Sequence, residues 1–319
     1  MTVAPPAQAP SDSRRPGSAL PAVAGAAIAL GAAVLPWTPL WLGDLLASVA
    51  PALGLVLGLG AAVALLARRR RAAALLGLVA ASAAGLTIWS PRAPAGAGTA
   101  TFTLVAVNAH MTEPEAFVRF LEATDADIVA VVEAPWNLHQ TAVPATFAFR
   151  HIEGPRTGGP AVRGLYSRWP GRLVAADLPD RSVFGAEIDH PAGPLGVVVL
   201  HALSPRTPAR WREGNQRTRQ AGQLAAQLEA GGACAVIAGD FNSPPTGLRS
   251  RALGAMGFRR ARPRQGPGGS YPAWLWQPLG LAIDGAALGD GLAVQSWRVL
   301  DLPGSDHRAV RIEIALADQ

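Results

Sequence analysis

The chain contains no lysine: all 28 of its basic residues are arginine. We read this as a coding bias without chemical meaning. It has one cysteine, Cys234, which excludes an internal disulfide framework and a cysteine-rich zinc site. Charge is scarce, at 16% of the 319 residues against 50% hydrophobic, the reverse of a disordered composition. The 35 glycines and 28 prolines follow no fixed period, so the chain is not collagen-like. A basic domain is missing too. Residues 1–97 hold seven Arg and two acids, a net +5, while residues 98–319 hold 21 Arg and 20 acids, a net +1. Arg-rich stretches at Arg206–Arg219 and Arg249–Arg264 are offset by those acids. The basic excess therefore follows the apolar N-terminal region and is not the footprint of a nucleic-acid-binding domain.

Long apolar runs, by contrast, are present. After a Pro-, Ser- and Ala-rich stretch over residues 1–18, expected to be a disordered cytoplasmic tail, Ala19–Leu35 is almost purely apolar. Leu45–Ala67 and Ala72–Trp89 follow. Each is close to the ~20 residues that a bilayer-spanning helix needs, so residues 19–89 predict an anchor of three transmembrane helices. Arg14–Arg15 and Arg68–Arg71 flank these runs on one side. Trp37, Trp41 and Trp89 fall on the other. Arginines stay in the cytoplasm and tryptophans favour the interface. A multi-pass protein of the cell membrane follows, with everything after Trp89 extracytoplasmic. Residues 90–99 read as a Pro/Gly-rich linker, and residues 100–317 suffice for one large core.

In that domain strands and helices alternate. Strands are expected at Thr101–Val107, Ile128–Val132, Gly164–Ser167, Val183–Ile188, Gly196–His201 and Ala235–Ala238. Strand-like runs return at Tyr271–Trp276, Leu281–Leu288 and His307–Leu316. Helices are expected over Pro114–Ala123 and Pro208–Glu229. Polar residues recur where these strands end: Asn108, Glu133, His201, Asp240, Asn242, Asp284, Asp306 and His307. Singly, most have a bland reading. Asn108 could be a turn residue, His201 a hydrogen-bonded core histidine, and Asp240 with Asn242 a strand cap. Glu133 is harder to dismiss, because it closes five apolar residues and a carboxylate there needs a cation or donors. Asp284 interrupts an apolar strand at similar cost. As a set they offer oxygen ligands and two histidines without thiolates, which suits Mg²⁺ or Mn²⁺. Histidine beside such an ion suits phosphate-ester hydrolysis.

The ordered segments VNAH, DADIVAVVEA, YSRWP, VVLHALSP, AGDFNSPP, LAID and GSDHRAV resemble the endonuclease/exonuclease/phosphatase superfamily of DNase I-like nucleases, neutral sphingomyelinases and inositol polyphosphate 5-phosphatases. The resemblance spans residues 101–316. It implies a DNase I-like four-layer α/β sandwich of two facing sheets flanked by helices. It also implies roles. Glu133 would be the principal metal ligand, aided by Asn108 and Asp306. His307 would contact the scissile phosphate and be oriented by Asp284. Asp240 would position or deprotonate the attacking water, Asn242 would hold a phosphate oxygen, and His201 would stabilise the transition state. Asp284–Gly285 stands where the family usually has Asp-His or Asp-Tyr. Three spans followed by such a domain also resemble the VanJ-type teicoplanin-resistance membrane proteins, linked to dephosphorylation of undecaprenyl pyrophosphate. The expected partner is therefore a membrane lipid or phosphorylated lipid substrate. Nucleic acid, as substrate of an extracytoplasmic nuclease, is the alternative, and a non-catalytic binding domain the third reading. No protein partner is evident.

Overall fold

The computed structural model describes residues 19–316 except 97, 99, 135–143, 155–161, 175–182 and 263–267. The expected tail, residues 1–18, lies outside the described residues. Three helices come first: α1 (Ala19–Val34), α2 (Trp41–Leu66) and α3 (Arg70–Trp89). Among the described residues only α2 and α3 are long and apolar enough to cross a membrane, so the expectation of three spans is corrected to two. The reason is length. The 16 residues of α1 rise about 24 Å at 1.5 Å per residue, short of the ~30 Å hydrocarbon core. A 3₁₀ turn at Leu35–Trp37, carrying the buried Pro36, ends the run there. Helices α2 and α3 form an antiparallel hairpin. Gly54 faces Ala83, Gly58 faces Ala80 and Gly60 faces Leu76. Those glycines let the two backbones approach.

The remaining chain folds as β1 (Ala100–Asn108), α4 (Pro114–Thr124), β2 (Ile128–Val132), β3 (Phe149–Glu153), β4 (Arg163–Ser167), β5 (Gly171–Val174), β6 (Val183–Ile188) and β7 (Leu195–His201). Then come α5 (Pro208–Ala230), β8 (Cys234–Asp240), α6 (Leu248–Ala255), β9 (Arg259–Arg260), β10 (Asp284–Leu288), β11 (Leu292–Leu300) and β12 (Ala309–Leu316). Two mixed six-stranded sheets result, in the orders β11-β12-β1-β2-β4-β3 and β5-β6-β7-β8-β10-β9. β1 and β2 run parallel, as do β7 and β8.

The strands at the centre of each sheet are apolar on both faces, as strands covered on both sides must be. In β1, Leu104 and Ala106 face the inter-sheet core with Val197, Val199, Val236 and Ala286 from the other sheet. Val105 and Val107 point outward to Phe117, Phe120 and Leu121 of α4. On the far side, Val198, Leu200 and Ile237 pack on Leu224 and Leu228 of α5 and Leu253 of α6. The order of layers is therefore α4, sheet, sheet, α5 with α6, which is the DNase I-like sandwich.

Tyr271–Trp276 is not a strand. Pro272 lacks an N–H for a ladder, and the stretch forms a loop closed by backbone bonds between Tyr271 and Leu281. The loop is held from beneath by the Arg308 guanidinium, which donates to the carbonyls of Ala273 and Leu275.

The helical hairpin is fastened to the sandwich at the Trp41 end. The Trp41 indole donates to the Pro205 carbonyl at 2.8 Å. Buried Asp44, in the first turn of α2, accepts from the Trp211 indole at 2.9 Å and from the Leu248 amide at the start of α6. Thr246 donates to the Ala47 carbonyl. The Arg68–Arg71 turn is thus at the opposite end of the hairpin from the sandwich.

Candidate active site

The site lies where strand ends of both sheets converge. In the second sheet, His201 pairs with Asp240 across β7 and β8, and Asp240 stands directly opposite Asp284 across β8 and β10. Three polar side chains therefore form one row. Gly239 makes that row possible: its φ is +134°, and a Cβ there would lie 2.2 Å from the Leu200 carbonyl oxygen. In the first sheet, Asn108 ends β1 and Glu133 follows β2. Glu133 (φ +51°) and Asn242 (φ +44°) both adopt left-handed backbone conformations, which cost a non-glycine residue energy and concentrate at functional sites.

All eight residues singled out in the sequence meet here. The Asn108 amide is the hub: its Nδ2 lies 3.3 Å from Glu133, 3.2 Å from Asp240 and 3.5 Å from His307 Nε2. His307 Nδ1 is 2.8 Å from Asp284 Oδ2. His201 Nε2 is 3.0 Å from Glu133 Oε1, a contact that joins the two sheets and gives His201 a carboxylate partner the sequence did not identify. The Asn242 amide donates to Asp240 at 2.9 Å and to the Ala202 carbonyl, so here it orients Asp240. Asp306 lies at the edge of the site, paired with His110 Nδ1 at 3.2 Å.

Three further residues escaped the sequence reading. His110 lines the mouth. Tyr271 lays its ring 4.7 Å from that of His307. Arg249, fully buried, donates to the carbonyls of Leu203, Phe241 and Asn242 and to the Asn215 side chain, bracing the loops after β7 and β8. No motif marks Arg249, because three of its partners are backbone carbonyls, which any residue type supplies.

Electrostatics follow from burial and crowding. Burial, then the neighbouring Asp284 charge, raise the Asp240 carboxyl to about 6. Burial alone would depress the His307 imidazole, but Asp284 outweighs it and pushes His307 up to about 10. For Glu133 burial acts upward, yet the bonds and charge from His201 and the bond from Asn108 leave it below the usual carboxylate range. Protonated His307 and ionised Glu133 therefore coexist at neutral pH.

The donor set fits a divalent cation. Ligand atoms of Glu133, His201 and Asp240 lie within 4.8 Å of one another, as do those of Asp240, Asp284 and His307. Three carboxylates in a half-enclosed site, one with its Asp284 Oδ1 buried and unpartnered, make an electron-rich pocket that a hard cation would balance. The mouth measures about 620 Å³ and is rimmed by Arg163, Arg206, Arg210 and Arg217.

A two-sheet sandwich with this array of carboxylates, amides and histidines at its strand ends defines a metal-assisted phosphoesterase. The family model described as Endonuclease/Exonuclease/phosphatase family matches residues 105–307, and the chain belongs to that family. Solved structures share its fold at low identity. The 3′–5′ exonuclease from Neisseria meningitidis is 16% identical with TM-score 0.53, covering 68% of this chain and 100% of its own. The human Nocturnin catalytic domain with bound sulfate is 15% identical with TM-score 0.53, covering 68% and 95%. An endonuclease/exonuclease/phosphatase protein from Beutenbergia cavernae is 15% identical with TM-score 0.51, covering 68% and 72%. No curated protein sequence matches the chain.

Proposed function

We propose that the protein is a membrane-anchored, extracytoplasmic phosphohydrolase acting on a lipid-borne phosphodiester or pyrophosphate such as undecaprenyl pyrophosphate. The observation that carries this reading is where the mouth opens. Leu203, Ser204, Arg206 and Arg210 form its rim, and Pro205 between them accepts the hydrogen bond from Trp41 at the start of α2. A phosphate entering the site does so beside the helix that enters the membrane. Leu55, Val56, Leu59 and Val63 of α2 are each more than 60% exposed, the outward apolar face of a helix solvated by lipid. The four-arginine turn at the far end supports a cytoplasmic hairpin tip and an external sandwich. That inference needs only α2 and α3, since the hairpin returns the chain to the side it left.

A divalent cation held by Glu133 with Asn108 and Asp240 would neutralise charge developing on the phosphate oxygens. The residues supply the rest. Asp240, held by Asn108 and Asn242 and ionised at neutral pH, accepts a proton from the attacking water as the new O–P bond forms and the bond to the leaving oxygen breaks. His307, kept protonated by Asp284, donates to a phosphate oxygen, and His201 stabilises the transition state beside it. Arg206 and Arg210 of the rim match the second phosphate of a diphosphate.

Those arginines would also meet a nucleic-acid backbone, and this favours a nuclease as the second reading. One experiment separates the two. The full chain in nanodiscs is offered undecaprenyl pyrophosphate in the same disc and a labelled DNA duplex in solution, and in whole cells a reporter fused after residue 319 records its side of the membrane. Lipid hydrolysis with an external reporter supports the proposal. DNA cleavage without lipid hydrolysis, or a cytoplasmic reporter, overturns it.

A further inference from the structure

The α2–α3 hairpin and the sandwich do not meet flush. Between them lies a cavity of about 230 Å³, distinct from the active-site mouth. One wall is apolar and comes from the hairpin, with Val49 and Ala52 of α2. Leu279 and Leu281 of the 271–281 loop face them. Three arginines, Arg92, Arg260 and Arg262, line the sandwich side.

These arginines differ in how they are satisfied. Arg260 is engaged in structure through both terminal nitrogens: it donates to Ser243, Ser250, Ala282 and Asp284 and lies 3.8 Å over the Phe241 ring, with only its Nε buried and unpartnered. Arg92 and Arg262 are not. Arg92 makes one long side-chain hydrogen bond, 3.5 Å to the Thr87 carbonyl. The Nη1 of Arg262 is buried without a hydrogen-bond partner. Neither has an ion pair with a carboxylate among the described residues. Asp284, the one acid lining the cavity among the described residues, is already bound to His307. Burial and then the like charge of Arg92 depress Arg262. Exposed Arg92 and half-buried Arg262 face one cavity, and the buried idle donor of Arg262 calls for an anion, because a donor shut away from water without a partner is costly.

The apolar wall says what kind of anion. It is continuous with the two membrane-spanning candidates and lies at the level where α3 ends at Trp89. Beside it the 271–281 loop exposes Trp274 by 81% and Trp276 by 71%, side chains that favour the membrane–water interface. We infer that this cavity binds an anionic phospholipid, its phosphate on Arg92 and Arg262 and its first methylenes against Val49, Ala52 and Leu279. The lipid is a fixed wedge between anchor and sandwich, separate from the substrate. This rests on the proposed membrane anchoring of α2 and α3.

The test uses the full chain, delipidated in detergent and followed by native mass spectrometry. Dioleoylphosphatidylglycerol, dioleoylphosphatidylcholine and inorganic phosphate are titrated separately. The site predicts one retained phosphatidylglycerol, weaker retention of phosphatidylcholine and no stable adduct with phosphate. Arg92→Gln/Arg262→Gln should lose roughly 30-fold in phosphatidylglycerol affinity, from two interfacial cation contacts, and keep phosphate-ester hydrolysis. Arg92→Gln alone, at an exposed position, gives a smaller loss and covers the case in which the double variant misfolds. Equal retention of the two lipids, no loss in either variant, or inorganic phosphate binding as well as the lipid would each overturn the inference. Alkaline carbonate extraction separates this from failure of the anchoring. A chain released from membranes refutes the spans, whereas a chain retained there without lipid selectivity refutes only this site.

Discussion

Replacing Asp284 by Asn removes the charge that holds His307 protonated and leaves the shape almost unchanged. Two forces act on His307: burial, which drives the imidazole toward neutrality, and Asp284 at 2.8 Å, which opposes it and prevails, giving about 10. Without that charge burial is opposed only by Asp240 and Asp306, so the imidazole returns to the region of its ordinary 6.5 or below. At pH 8.5 a histidine titrating near 6.5 is only ~1% protonated, so protonation alone costs about 100-fold in rate there and about twofold or less at pH 6. The alkaline limb of kcat/KM against pH should therefore move from near pH 10 toward pH 6.5. The sign for stability agrees. A raised histidine contributes stability fully below 6.5 and loses it as pH rises through about 10, so the melting temperatures of variant and parent should converge at high pH. The double variant with His307→Ala should be scarcely worse than His307→Ala alone, since paired residues act as a unit. The assay is kcat/KM from pH 5 to 10 for the singles and the double, with folding checked by circular dichroism. An unmoved alkaline limb, or losses that simply add, would refute the orienting role of Asp284.

Glu133→Gln keeps the size of the side chain but removes the charge facing the cation. Mg²⁺-dependent hydrolysis should fall on the order of 10²–10³-fold, measured as phosphate release across a Mg²⁺ titration. Gly239→Ala puts a Cβ against the Leu200 carbonyl at a positive φ; it should destabilise the sandwich by at least ~1–3 kcal/mol, read as a lowered urea midpoint. Arg249→Leu strands three carbonyls in the core; a loss of about 3 kcal/mol or more is expected, with activity falling further than the folded fraction accounts for.

The candidate site was largely legible because its residues end, begin or closely flank apolar strands, where a polar side chain needs a reason. Asp240 and Asn242 sit together in GDFN, so their proximity was written locally. The partnership of Glu133 and His201 was not. It arises only when two sheets pack face to face, and no spacing in the chain encodes it. The left-handed backbones of Glu133 and Asn242 are likewise imposed by the surroundings, since neither is glycine. Arg249 was invisible because its partners are the carbonyls of Leu203, Phe241 and Asn242 and the side chain of Asn215, which no motif links to it. Among the elements, β3, β5, β9, β11 and α6 were missed: β3, β5 and β11 are mostly half-exposed and lack a clean apolar signal, β9 is two residues, and α6 is only eight residues long. Tyr271–Trp276 has strand-like composition, but its tryptophans turn outward. The first apolar run had nearly the composition of a span but not its length.

The most direct measurement is the initial rate of phosphate release from undecaprenyl pyrophosphate by the purified full chain in nanodiscs, with Mg²⁺ or with EDTA, for the parent and Glu133→Gln. A membrane-anchored metal-dependent phosphohydrolase releases phosphate with Mg²⁺, stops in EDTA and is crippled by the substitution. Release that persists equally in EDTA and in the variant, or no release from this lipid under any condition, would contradict it.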